Sequence, residues 1–288
     1  MGLLLKVIFP REDIQCEFYI LKGVLSKLKF LLHDWISAFQ LWMKALVHII
    51  MPQHCVICNG LLSPDELGLC TSCLENLPYT NLYGIKGNWF ERYCWGQIPV
   101  VRASAYLKYL PATDSRIPFV ALKYNNRPDI ARLLGTMMAK ELIDTDFFST
   151  IDYIVPIPLS KERKNQRGYN QSLEIALGIS DVTHIPIRED LVVRKISNET
   201  QTHLTSEQRR ENVKGIFEYI GHDVVDSPHI LLVDDIFTTG STLFSCAKSF
   251  DNIQNIHFSI LVLGVSRQYP YFDTLDNHVD EDALLPLN

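Results

Sequence analysis

Residues 230–242 constrain this chain more than any other stretch. Ile230-Leu231-Leu232-Val233 is continuously apolar, Asp234 and Asp235 follow, and Thr238-Thr239-Gly240-Ser241-Thr242 closes the run. An unbroken apolar tetrapeptide suits a strand of a parallel sheet buried on both faces. Residues 241–250 read as a helix. The loop between them therefore lies at the carboxyl end of a strand and leads into a helix N-terminus, where free N–H groups and the helix dipole attract an anion. Thr238, Thr239, Ser241 and Thr242 add short donors, and Gly240 permits a tight turn or a close approach to a ligand. A phosphate suits such a loop. Two carboxylates beside a phosphate would repel it, so Asp234 and Asp235 require other partners, and ribose hydroxyls with a Mg²⁺ ion would satisfy them.

A second constellation lies upstream, where Cys55-Val56-Ile57-Cys58 and Cys70-Thr71-Ser72-Cys73 form two Cys-x-x-Cys knuckles around a short loop with Gly60 and Gly68. Four thiolates at this spacing suit tetrahedral Zn²⁺, and a closed Cys₄ site is structural because it leaves no position for water. Two disulfides or a redox pair are the rival readings. No signal peptide is recognisable and three of the seven cysteines, Cys16, Cys94 and Cys246, lie outside the cluster, so a reducing, cytoplasmic setting is expected. Those three read as ordinary small side chains.

The acidic pair and Thr-rich loop closely resemble the 5-phosphoribosyl-1-pyrophosphate (PRPP) signature of type I phosphoribosyltransferases. A Cys₄ module followed by a PRPP-type domain resembles the ComF family, also called the competence protein F or ComFC/GntX-like family. Three further blocks carry the likeness: Ala121-Leu122-Lys123-Tyr124 with Arg127; Val155-Pro156-Ile157-Pro158-Leu159 with Arg163 and Arg167-Gly168-Tyr169-Asn170-Gln171; and Gln201, Arg209, Asn212, Gly215 and Phe217. The likeness runs from about residue 51 to about residue 265. In place of the second cysteine pair that many members carry, this chain has Cys94 alone.

The resemblance implies an α/β fold of the type I phosphoribosyltransferase kind, a parallel sheet flanked by helices with a hood, plus a small N-terminal zinc-ribbon module. It implies that Pro156, Ile157 and Pro158, with Lys161, Arg163 and Arg167 after them, hold the pyrophosphate of PRPP. Thr238, Thr239, Gly240, Ser241 and Thr242 then take the 5-phosphate, and Asp234 and Asp235 orient the ribose directly or through Mg²⁺. Asp234, Asp235, Arg163 and Arg167 are the expected catalytic residues, and residues 196–215 the expected mobile hood. The expected reaction is displacement of pyrophosphate by a nitrogen acceptor, a step in nucleoside metabolism. Purine enzymes of this fold commonly carry a carboxylate at the place of Thr238, which cannot take a proton near neutral pH, so a purine acceptor is disfavoured. Two other readings stand beside this one: a PRPP-binding regulator without turnover, and an assembly factor for DNA uptake that contacts single-stranded DNA or a helicase.

Net charge of −6 argues against broad attraction to nucleic acid, and Tyr79, Tyr83, Trp89, Phe90 and Tyr93 have only Lys86 and Arg92 among them, a weak stacking signal. The first fifty residues are rich in Leu, Ile, Phe and Trp, yet charged and polar residues such as Lys27, Lys29, Asp34, Gln40 and Lys44 interrupt them. No transmembrane segment is expected. Leu28, Leu31, Leu32, Trp35 and Phe39 follow helical spacing, and residues 24–50 read as an amphipathic helix that packs on the protein or a partner, with peripheral membrane contact as the alternative. Strands are expected at 98–110, 151–157, 191–194, 230–234 and 256–265, and helices at 117–124, 130–143 and 171–177. The expected organisation is a helical extension over 1–51, a zinc module over 52–97, the transferase-like domain over 98–266 and an acidic tail over 267–288.

Overall fold

The computed structural model describes residues 51–109, 117–124, 127–195 and 215–266, with eight positions between 35 and 50. The expected hood and acidic tail fall outside these residues, apart from Gly215. The chain divides into two units, Met1–His54 with Leu61–Asp65, and Cys55–Gly60 with Glu66–Asn288.

In the first unit, Trp35, Ile36, Phe39, Trp42, Met43, Leu46 and Ile50 are helical and exposed. No helix among the described residues is long and apolar enough to cross a membrane. His54 bridges Leu61, and the Leu62 amide donates to the Gln53 carbonyl.

The second unit is built on a four-stranded parallel sheet in the order β1-β6-β5-β2. The strands are β1 (Val100–Tyr109), β2 (Tyr153–Pro156), β5 (His229–Phe237) and β6 (His257–Ser266). Ile230 to Val233 are fully buried, as a strand covered on both faces requires. On one face, Phe90 and Cys94 of α2 (Trp89–Trp95) share a core with Ile230, Leu232, Ile260 and Val262 of the central strands and with Leu243 and Phe244 of α7 (Ser241–Lys248). Helices α3 (Ile117–Tyr124), α4 (Pro128–Leu142) and α6 (Gln171–Thr183) complete the cover, α4 against β6 and α6 against β5 and β2. This is the parallel sheet with flanking helices that the resemblance implied. The short helix α1 (Thr71–Glu75) carries the second cysteine knuckle, and α5 (Lys161–Arg167) follows β2.

Helices α4 and α6 meet backbone to backbone. A Cβ on Gly135 would fall 2.2 Å from the Ile175 carbonyl oxygen, and one on Gly178 would fall 2.1 Å from that of Arg132. Glycine at both positions is what allows the crossing. Thr136 donates to the Gly178 carbonyl at 3.3 Å, and Arg132 pairs with Asp181 through two contacts of 2.7 and 2.8 Å.

One local reading is corrected. The strand expected at 191–194 leaves the parallel sheet: β3 (Val192–Arg194) pairs antiparallel with β4 (Phe217–Tyr219), because its partner is another short segment and not β2 or β5. The basic stretch after Pro158, to which no element was assigned, forms helix α5. The Ser160 hydroxyl accepts from the Arg163 amide at its N-terminus, and Gly168 ends it at φ 80°, the left-handed region that favours glycine.

Candidate functional site

The phosphate-type loop begins where β5 runs out. Pairing with β6 continues to Phe237, so the strand carries Asp234 and Asp235 within it and releases the chain only at Thr238. Gly240 caps α7 at φ 72°, and a Cβ there would strike the rings of Phe244 and Phe237 at 2.4–2.5 Å. Thr238, Thr239, Ser241 and Thr242 are exposed, and the Thr239 hydroxyl donates to that of Ser241 at 3.2 Å. A hydroxyl-lined turn thus opens to solvent at the N-terminus of α7, where backbone N–H groups suit an anion.

Asp234 and Asp235 are half-buried. Asp234 accepts from the Ser172 hydroxyl at 2.9 Å and from the Asp235 amide at 2.9 Å, and Asp235 accepts from the Ile236 amide at 2.7 Å. Ser172 lies at the start of α6, and nothing in its sequence context marked it.

Register brings the second element alongside. Pro156 pairs with Val233, and the Ile157 amide donates to the Val233 carbonyl at 2.9 Å, so the Pro156-Ile157-Pro158 turn starts beside Asp234. The Asn170 side chain ties this turn to α6: its amide donates to the Ile157 carbonyl at 3.2 Å while its oxygen accepts from the Ser172 amide at 3.2 Å. Lys161 and Arg163 lie exposed on α5, whereas Arg167 donates to the Gln171 side chain at 2.9 Å. Tyr169 and Gln171 both donate to the Leu122 carbonyl, at 2.6 and 3.1 Å. The block from Tyr169 to Gln171 is therefore largely a scaffold for the turn and for Asp234. Burial and then the charges of Glu174 and Asp129 push the Tyr169 phenol up, with Asp235 also in electrostatic reach.

One further residue reaches this edge without a motif to announce it. Tyr93 of α2 stands edge-on to Phe237 with ring centroids 5.8 Å apart, and its hydroxyl lies 3.4 Å from the Thr239 carbonyl oxygen. Beside it Phe90 packs edge-on against Phe237 at 4.7 Å, so α2 braces the loop from beneath. Arg194, the last residue of β3, is half-buried. Burial draws its guanidinium below the usual range, the nearby charge of Arg163 adds to this, and Asp234 and Glu162 oppose it.

The four knuckle cysteines converge as their spacing implied. Their sulfurs all lie within 4.8 Å of one another, and Cys58 Sγ is 3.7 Å from Cys70 Sγ. That separation is close to the edge of a sulfur tetrahedron with metal bonds of about 2.3 Å, and far from a disulfide of about 2.05 Å. The Gly60 amide donates to Cys58 Sγ and the Cys70 amide to Cys55 Sγ, each at 3.4 Å. Burial resists ionisation of Cys55, but the amides of Cys58, Cys70 and Ile57 outweigh it and lower the thiol to about 7. The donor set fits a metal ion such as zinc. By contrast burial pushes Cys94 up to about 12 and Cys246 higher still, as inert core thiols.

No family model matches the chain. Among curated proteins, competence protein F of Haemophilus influenzae is 28% identical over 208 residues, which cover 68% of this chain and 89% of that protein. The DNA utilization protein YhgH of Escherichia coli K12 is 28% identical over 197 residues, 67% of this chain and 82% of that protein. Competence protein ComFC of Bacillus subtilis is 32% identical over 112 residues, 36% of this chain and 43% of that protein. A solved glutamine PRPP amidotransferase from B. subtilis overlaps 49% of this chain and 30% of its own length at 18% identity and a TM-score of 0.33. Over about two thirds of its length this chain is thus similar to competence protein F and YhgH, and over about a third to ComFC.

Proposed function

We propose that this chain binds PRPP and transfers its phosphoribosyl group to a nitrogen acceptor with release of pyrophosphate. One observation carries the reading: β5 and β2 lie side by side and end on one edge, with the acidic pair and hydroxyl loop on one strand and the Pro156-Ile157-Pro158 turn and cationic α5 on the other. The loop from Thr238 to Thr242 would hold the 5-phosphate, and Asp234 and Asp235 the ribose hydroxyls. The turn, with Lys161, Arg163 and Arg167, would hold the diphosphate. In the transfer the C1–O bond to pyrophosphate breaks with its electron pair leaving on the diphosphate, the C1–N bond forms, and the nitrogen's proton passes to solvent. Cations fixed on α5 favour departure of the charged leaving group. Two carboxylates with substrate oxygens suit Mg²⁺, which when bound neutralises diphosphate charge. Zn²⁺ at Cys55, Cys58, Cys70 and Cys73 would stabilise the chain around them. We place the protein in the cytoplasm.

Titration calorimetry of PRPP with Mg²⁺ into the wild type and an Asp234→Asn/Asp235→Asn variant tests this. Asparagine keeps the acceptor that Ser172 and the Asp235 amide use, so the variant retains its fold while losing the charges. Binding by the wild type that is lost in the variant is the expected result. Absence of binding at millimolar PRPP overturns the reading.

The names of the relatives favour a second reading, a part in handling DNA during its uptake. Binding of single-stranded DNA that weakens steeply with salt, alongside no affinity for PRPP, would select it.

A further inference from the structure

We propose that Ser172 is a positioning residue, one that fixes the carboxylate of Asp234 for the ribose hydroxyls without touching substrate itself; this rests on the PRPP reading of the site. Its hydroxyl donates to Asp234 Oδ1 at 2.9 Å, and only 2% of the residue is exposed. A side chain so buried acts on a ligand through the group it holds. The Asp235 amide donates to the same oxygen at 2.9 Å. That amide belongs to the strand that carries Asp234 and moves with it. Ser172 belongs to another element, so its bond refers the carboxylate to the framework around the site.

The helix that carries this hydroxyl does not need it. Asn170 caps α6, its side-chain oxygen accepting from the Ser172 amide at 3.2 Å, while its amide group donates to the Ile157 carbonyl in the Pro156-Ile157-Pro158 turn, also at 3.2 Å. The start of α6 thus grips both strands of the proposed site: Asn170 holds the turn after β2, and Ser172 holds the acid in β5. The helix is itself fixed in place. Ile175, Ala176 and Ile179 are fully buried, Gly178 and Gly135 bring its backbone against that of α4, and Tyr169 and Gln171 fasten its start to the Leu122 carbonyl. A carboxylate that meets sugar hydroxyls must be held to within about 0.5 Å of the productive geometry, and a donor anchored on such a helix supplies that constraint. Without the hydroxyl Asp234 is freer to turn about its side-chain bonds. Recognition of the ribose then suffers, whereas the turn that takes the diphosphate keeps its tie to Asn170.

The test compares PRPP, ribose 5-phosphate and pyrophosphate, each with Mg²⁺, by titration calorimetry on the wild type, Ser172→Ala and Ser172→Cys. Loss of a hydrogen bond to a charged group corresponds to a weakening of about tenfold or more. Ser172→Ala is expected to bind PRPP and ribose 5-phosphate about tenfold more weakly, with pyrophosphate within about twofold of the wild type. Ser172→Cys nearly keeps the volume but replaces the hydroxyl by a weak donor, and it is expected to follow Ser172→Ala; if Ser172→Ala melts below the assay temperature, Ser172→Cys carries the comparison. A Ser172→Cys protein that binds like the wild type reduces Ser172 to a packing role and overturns the assignment. Undiminished binding of ribose 5-phosphate by Ser172→Ala, or equal losses for all three ligands, overturns it as well and leaves the PRPP site standing. A wild type that binds none of the three overturns the site itself and the positioning role with it, a result read before any variant is compared.

Discussion

Replacing Gly178 by alanine puts the α4–α6 crossing to a quantitative test. The added Cβ would sit 2.1 Å from the Arg132 carbonyl oxygen and 2.7 Å from the Thr136 amide nitrogen, both backbone atoms that no side-chain rotation can move aside. To restore ordinary contact the helices must part by about 1 Å, which opens voids along the rest of the seam. Overpacking of this kind costs about 1–3 kcal/mol, and a clash with backbone belongs at the upper end. Alanine in a helix interior regains about 1 kcal/mol over glycine, so the net loss is about 2 kcal/mol. For a domain of this size that lowers the melting temperature by about 4–8 °C. Circular dichroism melts of the wild type, Gly178→Ala and Gly96→Ala provide the assay. Gly96 has nothing within 4 Å of its would-be Cβ and φ −78°, so its alanine variant should melt at or slightly above the wild-type temperature. A Gly178→Ala protein melting within about 2 °C of the wild type would refute the argument.

Two further outcomes follow from the packing and the cysteine cluster. Stripping metal with a chelator should release about one zinc per chain, detected with a colorimetric indicator, and lower the melting temperature; Cys70→Ser should purify with none, and full metal retention would refute the Cys₄ assignment. His229 is buried between the Thr150 and Ser259 hydroxyls at 2.9 Å each, and burial first, then the neighbouring His257, lowers its pKa below the usual 6.5, with Asp152 opposing. The unfolded chain then binds the proton more readily, so this contribution is fully present above about pH 6.5 and is lost as pH falls through the lowered folded value. Urea midpoints between pH 8 and pH 5 should decline more in the wild type than in His229→Gln, and parallel declines would refute it.

What could be read from the chain beforehand depended on how local its cause was. The strand ending in Asp234 and Asp235 was legible because four consecutive apolar residues meet a polar turn, although β5 extends to Phe237 since β6 offers partners that far. The cysteine knuckles were legible because metal geometry imposes its own spacing. Helix α5 was missed for lack of an apolar face, yet Ser160 and Gly168 had supplied both of its caps. Strands β3 and β4 have three residues each and find one another across more than twenty intervening positions, so no periodicity announces them. Ser172 and Tyr93 carry no local mark either. Each matters through a neighbour distant in sequence: Asp234 for Ser172 and Thr239 for Tyr93.

The two outer strands of the parallel sheet are not left bare. Along β1 the Thr80 amide donates to the Tyr106 carbonyl and the Lys108 amide to the Pro78 carbonyl. On β2 the Ile154 amide donates to the Pro186 carbonyl and the Arg188 amide to the Ile154 carbonyl. An edge so engaged offers no open row of donors and acceptors to another chain. Recruitment of a peptide by strand addition, and runaway stacking of copies edge to edge, are both blocked at this sheet. A partner meeting these edges must instead recognise side chains, which leaves its selectivity to residues that can change without disturbing the scaffold.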